Sequence, residues 1–176
     1  MKLNIFIKLK RKISAREFCT IFNSSDLGRK KYNKLLKKAG VETSGNAVIR
    51  PPFIMDKGSI TLGDNVFINS GCIFLDNAHI EIGDRTLIGP GVKLCTTTHD
   101  IRPEKRHSGN IDTPIRIGRN CWIGAGAIIL PGVNIGDNSV IAANSVVTQD
   151  VESNALYAGA PAKFKKKIQP EEAVSI

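Results

Sequence analysis

The sequence predicts an all-β fold, a parallel β-helix of hexapeptide repeats with a short helical N-terminal segment and one protruding loop. Three observations lead to this prediction: a six-residue repeat begins at Leu62, each repeat opens with a large apolar residue, and a polar insertion interrupts the series. Composition agrees, because aromatic residues make up 6% of the chain and glycines number 16. Such a balance is typical of a molecule with many tight turns and few large rings in its core.

The repeat comprises twelve hexapeptides with an apolar first residue and, usually, a small fifth residue. The first residues are Leu62, Ile68, Phe74, Ile82, Ile88, Leu94, Ile117, Ile123, Ile129, Ile135, Ile141 and Val147. The fifth residues are Val66, Cys72, Ala78, Thr86, Val92, Thr98, Cys121, Ala127, Val133, Ser139, Ser145 and Val151. We expect three hexapeptides to form one coil and the first residues to stack inside it, at the strand spacing of about 4.8 Å. Glycine in the second place and asparagine or glycine in the fourth supply tight corners, often with positive φ.

The chain divides into three parts. Residues 1–40 form a basic helical N-terminal segment, residues 41–162 form the β-helix, and residues 163–176 form a basic C-terminal tail. Within the β-helix, the inserted loop 100–116 is polar and charged and must project from a corner. Loops of this length in a compact domain are usually functional, and His99 lies at the root of this one.

Two of these parts carry further expectations. Residues 14–39 are predicted to be helical, with Gly40 ending the helix. Residues 41–61 are predicted to form an irregular first coil, because Pro51 and Pro52 disrupt the pattern.

The formal net charge of +9 is unevenly distributed. Residues 1–38 hold twelve Lys/Arg and two Asp/Glu, a net charge of +10. Residues 39–162 hold nine Lys/Arg and twelve Asp/Glu (−3), and the tail holds four Lys/Arg and two Asp/Glu (+2). Aromatic side chains that could stack on bases do not alternate with the charges, so we expect no nucleic-acid partner.

The four cysteines show neither a CxxC pair nor metal-type spacing, so we expect small buried thiols in a reducing cytoplasm. The first residues, MKLNIFIKLKRKI, have too short an apolar stretch for a secretory signal, and no stretch reaches transmembrane length. These features predict a cytoplasmic protein.

Four segments resemble one family closely. They are similar to the hexapeptide acyltransferases, in particular the maltose, galactoside, nodulation-factor and capsule O-acetyltransferases. The four segments are NVFINSGCIFLD, LCTTTHDIRPEKR, PIRIGRNCWIGAGAIILPGVNIGDNSVIAANSVVTQDV and AGAPAK. The resemblance spans residues 51–166 and implies a left-handed β-helix, a homotrimer, acetyl-CoA as acetyl donor without a required metal, and a role in polysaccharide biosynthesis. The acceptor it implies is a hydroxyl of a sugar or polysaccharide precursor. The N-terminal third departs from the branch, whose usual acidic helical signature contributes to acceptor binding.

The resemblance assigns the chemistry to named residues. His99 takes the position of the histidine that removes the proton from the acceptor hydroxyl, and an imidazole with a pKa near 6.5 suits that task. Asn69 matches an asparagine that contacts the donor and stabilises the tetrahedral intermediate through its amide. Asp76 and Asp56 match carboxylates that bind acceptor hydroxyls.

The donor side is assigned in the same way. The resemblance places five residues along the arm of coenzyme A: Trp122, Ala125, Ala143, Thr148 and Gln149. Lys163 and Lys166 fall where the family carries basic residues near the phosphates of the coenzyme.

Other functions stay open at this point. Within the transferases, the acceptor could be serine, an aminosugar or a xenobiotic such as chloramphenicol. A γ-class carbonic anhydrase on the same fold would bind zinc through three histidines, and the chain has three: His79, His99 and His107. Residues 1–13 have a basic amphipathic pattern, which raises the hypothesis of peripheral membrane association.

Overall fold

The structure, a computed structural model, describes residues 11–169. Within that range, helices α1 (Ala15–Ser24) and α2 (Arg29–Lys38) precede a three-sided prism of short parallel strands. The left-handed parallel β-helix of hexapeptide repeats is therefore confirmed as the fold.

Each side of the prism is one sheet, with one strand per coil. Face A consists of β1 (Glu42–Thr43), β4 (Ile60–Leu62), β7 (Ile80–Ile82), β12 (Ile115–Ile117) and β15 (Asn134–Ile135). Face B consists of β2 (Val48–Ile49), β5 (Phe67–Ile68), β8 (Leu87–Ile88), β13 (Trp122–Ile123), β16 (Val140–Ile141), β18 (Ala155–Gly159) and β19 (Ala162–Lys167). Face C consists of β3 (Phe53–Met55), β6 (Cys72–Leu75), β9 (Lys93–Cys95), β14 (Ile128–Ile129) and β17 (Val146–Val147).

The core of the prism is the column of residues that open the hexapeptides. All twelve of them are buried, as predicted. Ten of the twelve fifth residues are buried too, and the two exceptions are Ala78 and Thr98. Both exceptions lie at the corner between faces C and A, Thr98 on the projecting arm and Ala78 in the coil before it.

The chain leaves the prism two residues earlier than the repeat indicates. Thr96 is buried and takes the interior place, where its hydroxyl donates to the Leu75 carbonyl at 2.6 Å and accepts from the Ala78 N–H at 3.0 Å. The next residues form a two-stranded antiparallel arm, β10 (Thr97–Thr98) against β11 (Ile111–Asp112), with a short 3₁₀ helix, Pro103–Lys105, beyond it.

The arm also ends earlier than the predicted loop 100–116. Ile115 is fully buried and pairs with Ile80 of β7, so Ile115–Ile117 already belongs to face A. The projecting part is therefore residues 97–112. The prediction was wrong because LCTTTH matches the hexapeptide pattern by residue type, although its last residues do not enter the prism.

The corners use asparagine and glycine for two different reasons. The fourth-place residues Asn65, Asn138 and Gly126 have positive φ, as predicted. The second-place glycines do not: a Cβ at Gly124 would lie 2.5 Å from the backbone nitrogen of Ala143. Glycine is required there because the coils approach too closely for a side chain.

The helices close the base of the prism. The predicted continuous helix over 14–39 is instead two helices, and α1 begins with a capping box in which Ser14 and Glu17 bond each other's backbone N–H. Asn23 ties α1 to the first coil, because its side chain bonds both the N–H and the carbonyl of Phe53 at 2.8 and 2.9 Å.

The first coil and the C-terminal segment are more regular than expected. The first coil supplies β1, β2 and β3 in register with the coil above, and a cis peptide joins Pro51 and Pro52 between two of these strands. The predicted tail includes most of β19, which pairs antiparallel with β18 at the edge of face B. Among residues 11–169, no helix is long and apolar enough to cross a membrane.

The four cysteines are free thiols, of which Cys72 and Cys121 are buried as expected, whereas Cys19 and Cys95 are half-buried. Cys72 and Cys121 are buried, and burial raises the pKa of the Cys72 thiol to about 11. These thiols therefore stay protonated and act as small apolar residues.

Candidate active site

His99 lies directly after β10, at the root of the arm, and is exposed. Within the described part of the chain, its imidazole has no hydrogen-bond partner. A histidine whose ring nitrogens are both free can accept a proton from a bound molecule.

The root of the arm is tied to the prism by a chain of side-chain hydrogen bonds. The Asn77 amide donates to the Thr97 hydroxyl at 2.8 Å, and that hydroxyl donates to the Asp112 carboxylate at 2.7 Å. The chain runs from a corner of the prism to both strands of the arm, so it holds the segment that ends in His99.

Asp100 does not orient His99. Its carboxylate accepts from the backbone N–H and the Nε of Arg102 at 3.0 and 2.9 Å, and from a terminal guanidinium nitrogen as well. These hydrogen bonds hold the pKa of Asp100 below its ordinary value. The pair stiffens the arm just beyond the histidine.

Asp76 performs a structural task that differs from the predicted one. Its side chain is fully buried, and its two oxygens accept three backbone N–H groups, from Asp56 at 2.7 Å, Lys57 at 3.1 Å and Ser59 at 2.7 Å. In this geometry the carboxylate closes the turn that follows β3, and its role in binding an acceptor stays a prediction.

The neighbouring residue was missed in the sequence. Asn77 is half-buried and lies at the same corner as the arm, where its amide contacts Thr97. Its spacing from Thr97, one coil plus a two-residue bulge, is the sequence signal that would have indicated the contact. Asp56 also lies at this corner and is exposed.

Asn69 lies at a different corner, directly after β5, where face B turns into face C. Its Oδ1 accepts the N–H of Ser70 at 2.9 Å, so Nδ2 is the group left to donate outward. The strand β6, four residues long, separates this corner from the one with His99. Four extended residues span about 13 Å, so a single chain does not bring Asn69 and His99 together.

The residues predicted to hold the donor lie in two different regions of the prism. Trp122 is 57% exposed on face B, and Ala125 and Ala143 are exposed in successive coils, joined by the Asn144 N–H to the Ala125 carbonyl at 2.8 Å. Thr148 and Gln149 are exposed at the corner after β17, on the side of the arm.

The two lysines lie further along face B. Lys163 and Lys166 are exposed on β19, and Lys166 is in register with Leu156 of β18. They therefore continue the edge of the sheet that contains Trp122, at the end of the prism opposite the helices.

Within residues 11–169 of a single chain, the three histidines are not grouped as metal ligands. His79 faces Ser59, with 3.3 Å between its Nδ1 and the hydroxyl, and His107 lies on the exposed arm. Across residues 11–169, no group of three or more His, Cys, Asp or Glu side chains is arranged to hold a metal ion. The geometry thus gives the carbonic anhydrase hypothesis no support.

Known proteins resemble the chain over most of its length. Residues 114–149 match the family model described as the hexapeptide repeat of succinyl-transferase. The nodulation protein L of Rhizobium meliloti is 45% identical over 76% of this chain and 74% of its own length. The galactoside O-acetyltransferase of Escherichia coli is 39% identical over 81% of this chain and 71% of its own.

The chain belongs to the hexapeptide-repeat acetyltransferases. Among solved structures, a hexapeptide-repeat acetyltransferase of Vibrio cholerae complexed with acetyl coenzyme A superposes with a TM-score of 0.84 at 36% identity, covering 89% of this chain and 86% of that one. The predicted family and its enzyme class, acyltransferase, are therefore confirmed. The roles of His99, Asn69, Asp56 and the donor-side residues stay predictions.

Proposed function

We propose that this acetyltransferase moves an acetyl group from acetyl-CoA to a hydroxyl of a sugar or polysaccharide precursor, with His99 as general base. The observation that carries the proposal is an exposed imidazole with no hydrogen-bond partner among residues 11–169, at the root of an arm held by Asn77, Thr97 and Asp112. The names of the Escherichia coli and Vibrio proteins support the acceptor class and the donor respectively.

Acetyl-CoA supplies the acetyl group as an activated thioester. The neutral imidazole of His99 takes the proton of the acceptor hydroxyl as its oxygen attacks the carbonyl carbon. Asn69 Nδ2 donates to the carbonyl oxygen as negative charge develops there. The protonated His99 then returns its proton to the departing sulfur, which leaves histidine neutral for the next cycle.

The residues predicted to hold the donor fit a long, flat ligand. Trp122 offers an exposed ring, and Ala125 and Ala143 are small exposed residues at one corner of the prism. Lys163 and Lys166 provide point charges for phosphates at the far end of face B.

A homotrimer would complete the site. The outward side chains of face A are polar or charged, including Glu81 and Arg116, whereas those of face B form an apolar ladder that includes Leu87 and Trp122. Ile101 on the arm is an apolar side chain that is 88% exposed.

A closed ring of three chains buries exposed apolar surfaces such as face B and Ile101, and it brings different corners of adjacent chains together. The Asn69 corner of one chain would meet the His99 corner of the next, which a single chain keeps about 13 Å apart. Sedimentation equilibrium tests this proposal: the predicted mass is three times the chain mass of 19.1 kDa, and a monomer that turns over at full rate would contradict it.

The acceptor is tested by the release of free CoA from acetyl-CoA across a panel of sugars, amines and chloramphenicol. We expect turnover with one or more sugars and an ester in the product, seen as loss of the acetyl group under mild base. An amide product with serine or an aminosugar would contradict the O-acetyltransferase assignment and leave the acetyltransferase class intact.

A further inference from the structure

The end of the prism that carries the helices also carries a large share of the positive charge. Within α2 the exposed cations are Arg29, Lys30, Lys31, Lys34 and Lys37. Tyr32 and Leu36 are buried and fasten the opposite side of the helix to the prism. Helical spacing therefore places Lys30, Lys34 and Lys37 in one stripe that faces solvent.

The start of α1 adds to this surface. The N–H of Ile13 bonds the carbonyl of Lys38 at 3.1 Å, which places the exposed Arg11 and Lys12 beside the last turn of α2. We call the surface made by Arg11, Lys12, Lys30, Lys31, Lys34 and Lys37 the basic end. It lies at the opposite end of the prism from β19, where Lys163 and Lys166 are expected to meet the donor.

The stability of α2 does not explain these charges. Its first turn contains Arg29, Lys30 and Lys31 and no acidic residue, and its N-cap, Gly28, makes no side-chain cap. Cations at the N-terminus of a helix oppose the helix dipole and are destabilising. A surface that weakens its own helix is better explained by an anionic partner.

We propose that the basic end docks on an anionic membrane surface. Lysines close to such a surface each contribute attraction, and a flat end with several of them suits a plane of lipid headgroups. Among residues 11–169, the large exposed apolar side chains all lie outside α1 and α2, so these two helices present no exposed aromatic ring for base stacking. This disfavours single-stranded nucleic acid as the partner.

Two further features favour a membrane. The sequence just before Arg11 combines Leu3, Phe6 and Ile7 with lysines, a composition that suits the headgroup boundary, although its structure lies outside the described residues. Cyclic symmetry keeps the same end of every chain on one side, so a trimer presents three basic ends to one plane; this point rests on the trimer proposed above.

Co-sedimentation of the full chain with vesicles of phosphatidylcholine containing roughly 30% phosphatidylserine tests the proposal, at an ionic strength of about 0.1 M. We expect binding that weakens as salt rises and that vesicles of phosphatidylcholine alone do not show. The triple variant Lys30→Gln, Lys34→Gln, Lys37→Gln should lower the affinity about 100-fold for a single chain, and by more for a trimer, which loses nine charges. Glutamine preserves helix propensity.

A matched control removes three charges elsewhere: Arg85→Gln, Arg116→Gln and Lys165→Gln. These residues lie on the body and at the far end of the prism, beyond about one Debye length of 10 Å from the bound surface, so this variant should bind like the wild type. Both variants should release CoA in solution at the wild-type rate, which separates this test from that of the proposed function.

Three results would overturn the proposal. The first is wild-type protein that does not sediment with the anionic vesicles. The second is equal loss in the two triple variants, which would indicate a general charge effect. The third is tighter binding to heparin or single-stranded DNA than to vesicles at equal phosphate or sulfate concentration, which would assign the basic end to a soluble polyanion.

Discussion

Replacing Asp76 by asparagine tests whether its carboxylate stabilises the fold or binds the acceptor. The substitution keeps the size of the side chain and replaces one acceptor oxygen by an NH2 group. Because the two oxygens of Asp76 accept from Asp56, Lys57 and Ser59, the amide must lose at least one hydrogen bond and turn its own donor toward a backbone N–H.

The expected cost follows from the bonds that are lost. A hydrogen bond to a charged group contributes about 1.5–3 kcal/mol, and a buried N–H without an acceptor costs about 1–3 kcal/mol. If both contributions are lost, we expect Asp76→Asn to lower the free energy of unfolding by about 2.5–6 kcal/mol. Asp64→Asn is the matched control, because the half-buried Asp64 carboxylate accepts one backbone N–H, that of Asn46 at 2.7 Å, and one side-chain N–H, that of Asn65 at 2.8 Å. An amide keeps one oxygen for the backbone N–H, so this variant should cost about 1 kcal/mol.

Urea unfolding followed by circular dichroism measures both variants, at one protein concentration because an oligomer's stability depends on it. CoA release is then measured in buffer where each variant is folded. If Asp76→Asn unfolds at the wild-type urea concentration but loses turnover, the carboxylate binds the acceptor and its assigned task in the turn is wrong.

Two other predictions concern the corners and the arm. Arg85 has φ of 58°, at a corner where the other coils carry asparagine with positive φ: Asn65, Asn120, Asn138 and Asn154. Because asparagine tolerates this conformation better, Arg85→Asn should raise the free energy of unfolding by about 0.5–1 kcal/mol, whereas Arg85→Lys should leave it unchanged. Equal urea midpoints for the wild type and both variants would refute this. The pKa of Asp100 is lowered by Arg102, so the pair stabilises the arm above the unfolded pKa of about 3.9 and this contribution is lost as the pH falls through the lower folded pKa. Protease cleavage within residues 101–110 should therefore be faster in Asp100→Asn than in wild type at pH about 7, and the difference should shrink near pH about 3; a difference that persists in acid would show another cause.

The repeat alone predicts the columns of the core, because one apolar residue in six must face the axis of the coil. It predicts less well where the residue type satisfies the pattern but the backbone does not follow it. Thr98 suits a fifth place by size, yet Thr96 enters the prism instead, since its hydroxyl can bond both Leu75 and Ala78. The boundaries of the arm were therefore predicted at 100–116, whereas the structure has 97–112.

The candidate site shows a similar limit. His99 was located from its place at the break in the repeat, which the structure retains at the root of the arm. Asp76 and Asn77 are adjacent, and sequence does not reveal which of two neighbours faces the interior at an irregular corner. β19 was also missed as a strand, because its lysines on an exposed edge lack the apolar alternation that indicates a strand.

The most direct test of the proposed chemistry compares two exposed histidines of the same arm. His99→Ala and His107→Ala remove the same side chain, and neither imidazole is buried, so both variants should fold like the wild type. With the best acceptor of the panel, we expect His99→Ala to lower kcat for CoA release by about 10²–10⁴-fold and His107→Ala to leave it within about twofold. Turnover by His99→Ala at the wild-type rate would contradict the assignment of His99 as the general base.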